Sequence, residues 1–152
     1  MILNKATLKD LDLIIPLFDL YRQFYKQSSD PDSAKEFLCA RIANNESVIF
    51  WALDEDDISG MGFVQLYPIF SSVEMKRLWL LNDLYVHTDY RKRGVGEALM
   101  EKARELAAET KAKGIILETE KTNAQAQNLY DKLGYKRDKD HYYFYLETEK
   151  QI

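Results

Sequence analysis

The spacing of apolar positions divides the first part of the chain into a strand and two helices. Residues 2–6 have the composition of a short strand, and residues 7–10 are typical of a helix start. Turn-forming residues at 29–32 interrupt the helical period, and a second helix is predicted over residues 33–43. One face of the first helix carries Leu11, Ile14, Ile15, Phe18 and Arg22.

A hairpin is predicted after the second helix. Residues 48–53 and 61–66 are rich in branched and aromatic side chains, which is typical of strands. Between them lies an acidic run at residues 54–57, which we expect to form a solvated turn. The pattern therefore predicts two antiparallel strands joined by a charged turn.

The second half of the chain alternates strands and helices. A long strand ending near Val86 precedes a helical period over residues 97–113. Residues 115–119 are typical of a strand, a short helix follows Asn123, and residues 142–146 alternate as a final strand. These elements predict a mixed sheet flanked by helices, an α/β (α+β) fold. The inner face of the longer helix carries Val95, Leu99, Ala103 and Leu106.

Length and composition fit one domain spanning residues 1–152. The chain is 46% hydrophobic, which suffices for one core but hardly for two. Its net charge of −4 argues against a nucleic-acid groove. The sequence has no run of eighteen apolar residues and no recognisable secretion signal. We therefore expect a cytoplasmic protein with no membrane partner. His87 and His141 have no partner at ligand spacing, so no metal site is expected.

The segment between the long strand and the longer helix carries the first chemical signal. The first amides of a helix lack intrahelical acceptors, and the helix dipole adds positive charge there. Glycines let the backbone approach a ligand closely. The segment therefore predicts a phosphate-binding loop. Its cations are Arg91, Lys92 and Arg93, and its glycines are Gly94 and Gly96.

Two other phosphate-binding motifs fit this loop less well. A dinucleotide fingerprint needs a third glycine where this chain has Leu99, although Glu118 and Glu120 lie near the expected position of its ribose-binding acid. A Walker-type loop needs a lysine and a hydroxyl residue directly after the glycines, and neither is present. A dinucleotide site therefore stays open as an alternative.

A second segment, residues 123–135, adds a helix that places Ala126, Leu129, Tyr130 and Leu133 on one face and that Gly134 ends as a left-handed cap. The two segments together resemble the GNAT superfamily of acyl-CoA-dependent N-acetyltransferases. The resemblance covers roughly residues 58–145, and residues 81–86 look most like the polyamine and related amine acetyltransferases. Its motifs are Arg91-x-x-Gly94-x-Gly96 after Leu84-Tyr85-Val86, and Asn123-x-x-Ala126-x-x-Leu129-Tyr130-x-x-x-Gly134-Tyr135.

The resemblance implies a fold and a set of cofactor-binding residues. It implies a twisted, mostly antiparallel sheet of about seven strands with about four helices. Coenzyme A would lie along the end of the long strand, with its pyrophosphate on the loop amides and a contact from Asn123, for which a plain helix cap is the other open role. The residues implied to bind acetyl-CoA are Leu84, Tyr85, Val86, Arg91, Lys92, Arg93, Gly94, Val95, Gly96, Glu97, Asn123, Ala126 and Tyr130.

The resemblance also implies an acid, whereas the base departs from the family pattern. Tyr130 corresponds to the tyrosine that protonates the departing thiolate in many members, a core tyrosine being its other open role. An alkyl amine is almost wholly protonated at neutral pH, so a group must accept its proton. Polyamine acetyltransferases usually have a glutamate where this chain has Asn82, so Asp83 becomes the expected base, with a buried polar anchor as its other open role if it faces a helix. Glu118 or Glu120, acting through a water chain, is the alternative base.

Strand alternation gives a prediction about the faces of the long strand. Asp83 and Tyr85 should point to one face, and Asn82 and Leu84 to the other. Acceptor specificity is expected from the first two helices, from a loop at residues 67–72 and from groups near Trp79.

The sequence therefore predicts an enzyme that moves the acetyl group of acetyl-CoA to a primary amine by direct attack in a ternary complex. The acceptor is expected to be a small polyamine-like amine or a protein amino group. A non-catalytic CoA-binding sensor module and a dinucleotide-binding domain are the alternative functions. A homodimer is expected from the resemblance and from the aromatic segment at residues 142–146.

Overall fold

One sheet of five strands organises the first part of the molecule. In the computed structural model, β1 (Ile2–Lys5), β2 (Val48–Asp54), β3 (Ser59–Ser71) and β4 (Lys76–Val86) are successive antiparallel neighbours, and β5 (Ile115–Ile116) pairs in parallel with β4. The predicted hairpin and its acidic turn are confirmed. The sheet that residues 1–149 form has five strands, not about seven.

The structure describes residues 1–149, and the chain falls into two compact units. The first unit is Met1–Glu118, and the second begins at Thr119. The first contains the sheet with helices α1 (Leu11–Phe24), α2 (Pro31–Ala43) and α3 (Val95–Glu109). The second contains α4 (Ala124–Lys132). The two units together contain four α-helices among the described residues, as predicted.

Local sequence explains where α2 begins. The Asp30 carboxylate accepts a hydrogen bond from the Ser33 amide at 3.1 Å, which satisfies one of the unpaired donors at the helix start. Pro31 follows in the first turn, where no amide hydrogen is needed. The helix therefore starts two residues before the predicted position.

The helices cover both faces of the sheet. On one face, the rings of Phe18 in α1 and Phe63 in β3 have centroids 6.1 Å apart. On the other, a Cβ added to Gly62 would lie 3.4 Å from Leu99 in α3. Consecutive strand residues point to opposite faces, so α1 and α3 lie on opposite sides. The predicted inner residues of α3 are all buried, and a fully buried leucine such as Leu99 contributes roughly 1.5–3 kcal/mol.

A β-bulge interrupts β4. Leu81 pairs with Leu66 and Asp83 pairs with Gln65, so Asn82 is an extra residue that has no opposite partner in β3. A bulge reverses which alternate residues of a strand face a given side. The predicted alternation of side chains between the two faces of β4 is therefore correct only for the residues after Asn82.

Three predictions about strand extent were wrong. Residues 142–146 form no regular secondary structure, and their side chains are 80% to 95% exposed. The predicted strand at 115–119 shortens to Ile115–Ile116, and the predicted loop at 67–72 lies in β3 as far as Ser71. Strand formation depends on a partner for the backbone hydrogen bonds, and side-chain alternation alone does not supply one.

No helix in the described residues is long and apolar enough to cross a lipid bilayer.

Candidate active site

The end of β4 turns backbone groups away from β3. The His87 amide donates to the Met61 carbonyl at 2.9 Å, so the backbone of His87 faces β3. Successive residues of a strand direct their N–H and C=O groups to alternate sides. The N–H and C=O groups of Leu84 and Val86 therefore point away from β3. On that side the Arg91 Nε donates to the Val86 carbonyl at 3.1 Å.

This side of β4 is open beyond a short contact with β5. The parallel pairing joins Trp79 with Ile115 and Leu80 with Ile116, and within residues 1–149 it extends no further towards the end of β4. The backbone amides of Leu84 and Val86 are therefore available for an extended ligand, as in strand addition.

The loop between β4 and α3 leaves amide hydrogens without protein acceptors. Gly94 caps α3 in the left-handed region at φ 77°, and a Cβ there would meet nothing within 4 Å. Lys92 is also left-handed, at φ 62°. Among the described residues, no acceptor is found for the amides of Lys92, Arg93 and Gly94. The loop thus combines amides without protein acceptors with the positive end of the α3 dipole, which is a suitable environment for an anion.

The loop side chains hold the backbone in place. The Arg91 guanidinium lies 5.8 Å from the Tyr85 ring centroid, and that of Arg93 lies 5.4 Å from the Tyr90 ring centroid. The Tyr90 hydroxyl donates to Asp54 at 2.9 Å, which ties the loop to the end of β2. Val95 is buried in the core. Its contribution to a ligand site is therefore limited to the backbone.

Helix α4 of the second unit carries the other predicted residues. The Asn123 side-chain oxygen accepts a hydrogen bond from the Ala126 amide at 3.1 Å, so the helix-cap role of Asn123 is confirmed. Gly134 is left-handed at φ 92°, and the Tyr135 amide donates to the Tyr130 carbonyl at 3.0 Å. The predicted left-handed end of this helix is confirmed.

Tyr130 is half-buried and lies beside a second tyrosine. The rings of Tyr130 and Tyr135 have centroids 5.9 Å apart. Burial, with a smaller effect of Tyr130, raises the pKa of Tyr135 to about 12. Tyr135 is therefore a protonated neighbour of the predicted acid at neutral pH.

Asp83 is a buried carboxylate, only 2% exposed. One carboxylate oxygen accepts a hydrogen bond from the Gln65 side chain, and the other accepts one from the side-chain amide of Asn82 at 2.7 Å. Burial raises the pKa of Asp83 above its ordinary value, although hydrogen bonds from Gln65, Asn82 and Tyr21 oppose the rise. A carboxylate with a raised pKa has a higher proton affinity, which suits a proton acceptor.

The hydrogen bond from Asn82 corrects the prediction that Asn82 points away from Asp83. The bulge at Asn82 breaks the alternation of side chains, and Asn82 and Asp83 line the same pocket. The predicted shared face of Asp83 and Tyr85 is confirmed, because the Tyr85 ring lies 6.5 Å from that of Tyr21 in α1.

The pocket at Asp83 has a volume of about 440 Å³ and lies between α1, α2 and the sheet. This volume is within the usual range for sites of small organic molecules. Burial and then the charge of Asp83 raise the pKa values of Tyr21 and Tyr67, so both hydroxyls stay protonated. Aromatic side chains form much of the wall, namely Phe18, Tyr21, Phe37 and Tyr67.

The sequence reasoning missed two residues of this site. Gln65 is fully buried, and its amide oxygen accepts from Ser47 at 2.7 Å while its amide nitrogen donates to Asp83. A polar residue inside the apolar run 61–66 was the available signal, since a buried amide needs partners. Tyr21 gave no separable signal, because it continues the apolar face of α1.

The alternative bases lie elsewhere. Glu118 and Glu120 are exposed, and both follow β5 instead of lying within it. No group of three or more metal-ligating side chains occurs in the part of the chain that the structure describes.

Known proteins that are similar to this chain are acetyltransferases. The model of the acetyltransferase (GNAT) family matches residues 14–135. The uncharacterized N-acetyltransferase YhfO of Bacillus subtilis (strain 168) is 45% identical over 138 residues, or 91% of each chain. A probable acetyltransferase of Haemophilus influenzae is 35% identical over 133 residues, which cover 88% of this chain and 86% of that protein. The crystal structure of a probable acetyltransferase matches with a TM-score of 0.94 and 39% identity, covering 99% of this chain and 100% of that chain.

A match over this much of the chain, together with the strand, loop and helix described above, shows the family. The chain belongs to the acetyltransferase (GNAT) family and is an acyl-CoA-dependent N-acetyltransferase.

Proposed function

We propose that this enzyme transfers the acetyl group of acetyl-CoA to a primary amine by direct attack in a ternary complex. The observation that carries the proposal is the buried carboxylate of Asp83. It lines a pocket and directly precedes the open strand end at Leu84–Val86. The amine and the thioester can therefore meet at this point of β4.

The residues at the strand end and the loop fit coenzyme A. The Leu84 and Val86 backbone would bind the pantetheine arm, and the amides of residues 92–97 would bind the pyrophosphate. The open, left-handed Gly94 supports this assignment, because no side chain there blocks a phosphate. Acetyl-CoA would supply the thioester, and the family resemblance adds Asn123 and Ala126 to the residues proposed to contact it.

Two residues would move protons in the reaction. Asp83 would accept a proton from the bound ammonium, which gives nitrogen the lone pair that attacks the thioester carbonyl. As the new carbon–nitrogen bond forms, the carbon–sulfur bond breaks, and the Tyr130 hydroxyl would protonate the leaving thiolate. The raised pKa of Asp83 supports its role, and Asn82 would orient the carboxylate.

The proposal is tested by following thiol release from acetyl-CoA with a panel of amines. We expect acceptor-dependent release, and we expect Tyr130→Phe to lower kcat by about 10²–10⁴-fold with little change in the KM for acetyl-CoA. Tyr135→Phe is the matched control, since it removes the neighbouring hydroxyl and should retain most of the activity. An enzyme that releases thiol with no amine, or a Tyr130→Phe variant with full kcat, contradicts the proposal.

We also propose that the enzyme is a homodimer. Residues 142–146 are four aromatic residues and a leucine that are at least 80% exposed, and they pair with no strand in the described chain. Pairing with a second copy would satisfy their backbone groups and cover their aromatic rings.

A further inference from the structure

The pocket at Asp83 holds a positive charge as well as a negative one. Arg22 in α1 lines the same pocket as Asp83. We propose that the acceptor carries a carboxylate close to its amine, as an amino acid does, and that Arg22 binds this carboxylate. This inference rests on the proposed function, because it names the acceptor class of that site.

Arg22 has two intramolecular partners that leave part of its guanidinium open. Its Nη1 donates to the Ser28 carbonyl at 2.9 Å, the one hydrogen bond of its guanidinium found among the described residues. Its distance from the Asp19 carboxylate is 3.9 Å, too long for a hydrogen bond. A guanidinium has five donors in a planar fork, so donors remain for a carboxylate.

Asp19 depends mainly on donors other than Arg22, whose charge has the smallest effect among the causes that shift its pKa. It accepts hydrogen bonds from Ser29 at 2.6 Å, from the Asp30 amide at 2.8 Å and from Gln23 at 3.0 Å. These three donors satisfy the buried carboxylate. The Arg22 guanidinium therefore lies near the pocket, where its ion pair with Asp19 is long, at 3.9 Å.

The distribution of charge is unfavourable for a polyamine. Asp83 is the one carboxylate among the described residues that line this pocket, and a second ammonium group would lie near Arg22. Like charges at short range repel each other. An acceptor with a carboxylate next to its amine can instead place the amine at Asp83 and the carboxylate at Arg22. The aromatic walls of Phe18 and Phe37 suit an apolar body on the same molecule.

The reaction on such an acceptor is balanced without another reactant. The ammonium of the amino acid loses one proton to Asp83, its nitrogen bonds to the acetyl carbon, and the thiolate leaves and is protonated. The products are an N-acetylated amino acid, the thiol of coenzyme A and one proton released to solvent. The carboxylate takes no part in bond formation and contributes binding alone.

The test compares matched acceptors with and without the acid group, for example phenylalanine with phenethylamine and leucine with isopentylamine, with spermidine included. The kcat/KM values are expressed per concentration of unprotonated amine, which removes the difference in amine pKa. We expect the amino acids to exceed their decarboxylated partners at least tenfold. Arg22→Gln should lower this ratio at least tenfold, mainly through KM for the amino acid, and Arg22→Lys should retain part of it.

Arg41→Gln is the matched control. Arg41 lies in the adjoining depression, where it pairs with Glu46 at 3.2 Å, and its loss should change the ratio less than threefold. Equal rates for acids and decarboxylated amines, a preference for spermidine, or an unchanged ratio in Arg22→Gln would overturn the inference. If circular dichroism shows that Arg22→Gln does not fold, the inference is tested by the wild-type ratio of amino acid to decarboxylated amine and by the ratio in Arg22→Lys. Absence of turnover with every amine refutes the proposed function instead, so the two failures are distinguishable.

Discussion

At the scale of single residues, Asp83 combines burial with two hydrogen bonds from side-chain amides. Burial favours the protonated acid, and the donors from Gln65 and Asn82 favour the carboxylate. The balance leaves the pKa raised. Asp83 is thus a stronger base than an exposed carboxylate while it stays oriented towards the pocket.

Asp83→Asn should lower kcat by about 10²–10³-fold, because an amide cannot accept the amine proton. In the wild type, the rate should increase with pH as Asp83 ionises, above the pH at which an ordinary carboxyl ionises. The variant should lose this increase. The measurement is the pH profile of kcat with saturating acetyl-CoA. Glu118→Gln is the control, and if it removes the increase while Asp83→Asn keeps it, the base is Glu118 acting through water.

At the scale of elements, Asp19 in α1 stabilises the connection to α2 by accepting hydrogen bonds from Ser29 and Asp30. These two helices cover the pocket. Burial raises the pKa of Asp19, but hydrogen bonds from Ser29, Asp30 and Gln23, together with the charge of Arg22, outweigh burial and hold the pKa below its ordinary value. A lowered pKa in the folded state stabilises the fold where the carboxylate is ionised.

Asp19→Asn should lower the free energy of unfolding by about 2 kcal/mol at neutral pH, since hydrogen bonds to a buried charge are lost. The difference from the wild type should shrink as pH falls through the lowered pKa, where the wild-type carboxyl is also neutral. Urea unfolding at several pH values measures both effects. Asp12→Asn is the control, because Asp12 is exposed and its 3.4 Å ion pair with Lys35 contributes little. A difference that grows towards low pH would refute this account.

The junction of β4 and α3 gives a second prediction at this scale. Gly94→Ala should cost about 1–2 kcal/mol of stability, because an alanine is strained at φ 77°. It should also raise the KM for acetyl-CoA about tenfold by crowding the proposed pyrophosphate site.

Gly114→Ala is the control for this change, since a Cβ at Gly114 also meets nothing within 4 Å and its φ is not left-handed. Chemical denaturation and steady-state kinetics separate the two effects. An unchanged KM in a folded Gly94→Ala variant would show that the loop does not hold the cofactor.

At the scale of the whole molecule, the aromatic segment at residues 142–146 predicts the assembly state. Wild-type protein should sediment as a dimer at micromolar concentration, and Phe144→Asp should shift it towards the monomer by burying a charge at the interface. Val73→Asp alters an apolar side chain that is equally exposed, at 94%, and should leave the dimer intact. A wild-type monomer at these concentrations would refute the proposed homodimer.

The local pattern predicted the elements that depend on near neighbours in sequence. The inner face of α3 and the left-handed Gly134 were predicted, and a helix cap was one of the two roles open for Asn123, because helix faces and caps involve residues three or four positions apart. The extension of β3 over residues 67–71, the shortening of β5 to residues 115–116 and the absence of a strand at residues 142–146 were not predicted, because a strand is completed by a distant partner.

By itself, the sequence determined the order of the elements, the loop ahead of α3 and, through two short motifs, the family. Only the tertiary structure decided the bulge at Asn82 and the surroundings of Asp83. Tyr21 and Asn82 are 61 positions apart and Gln65 and Asp83 are 18 apart, yet Tyr21, Asn82 and Asp83 line one pocket and Gln65 donates to Asp83 beside it. The physical reason is that the proton affinity of a carboxylate depends on burial and on donors from other strands and helices, which no local pattern encodes.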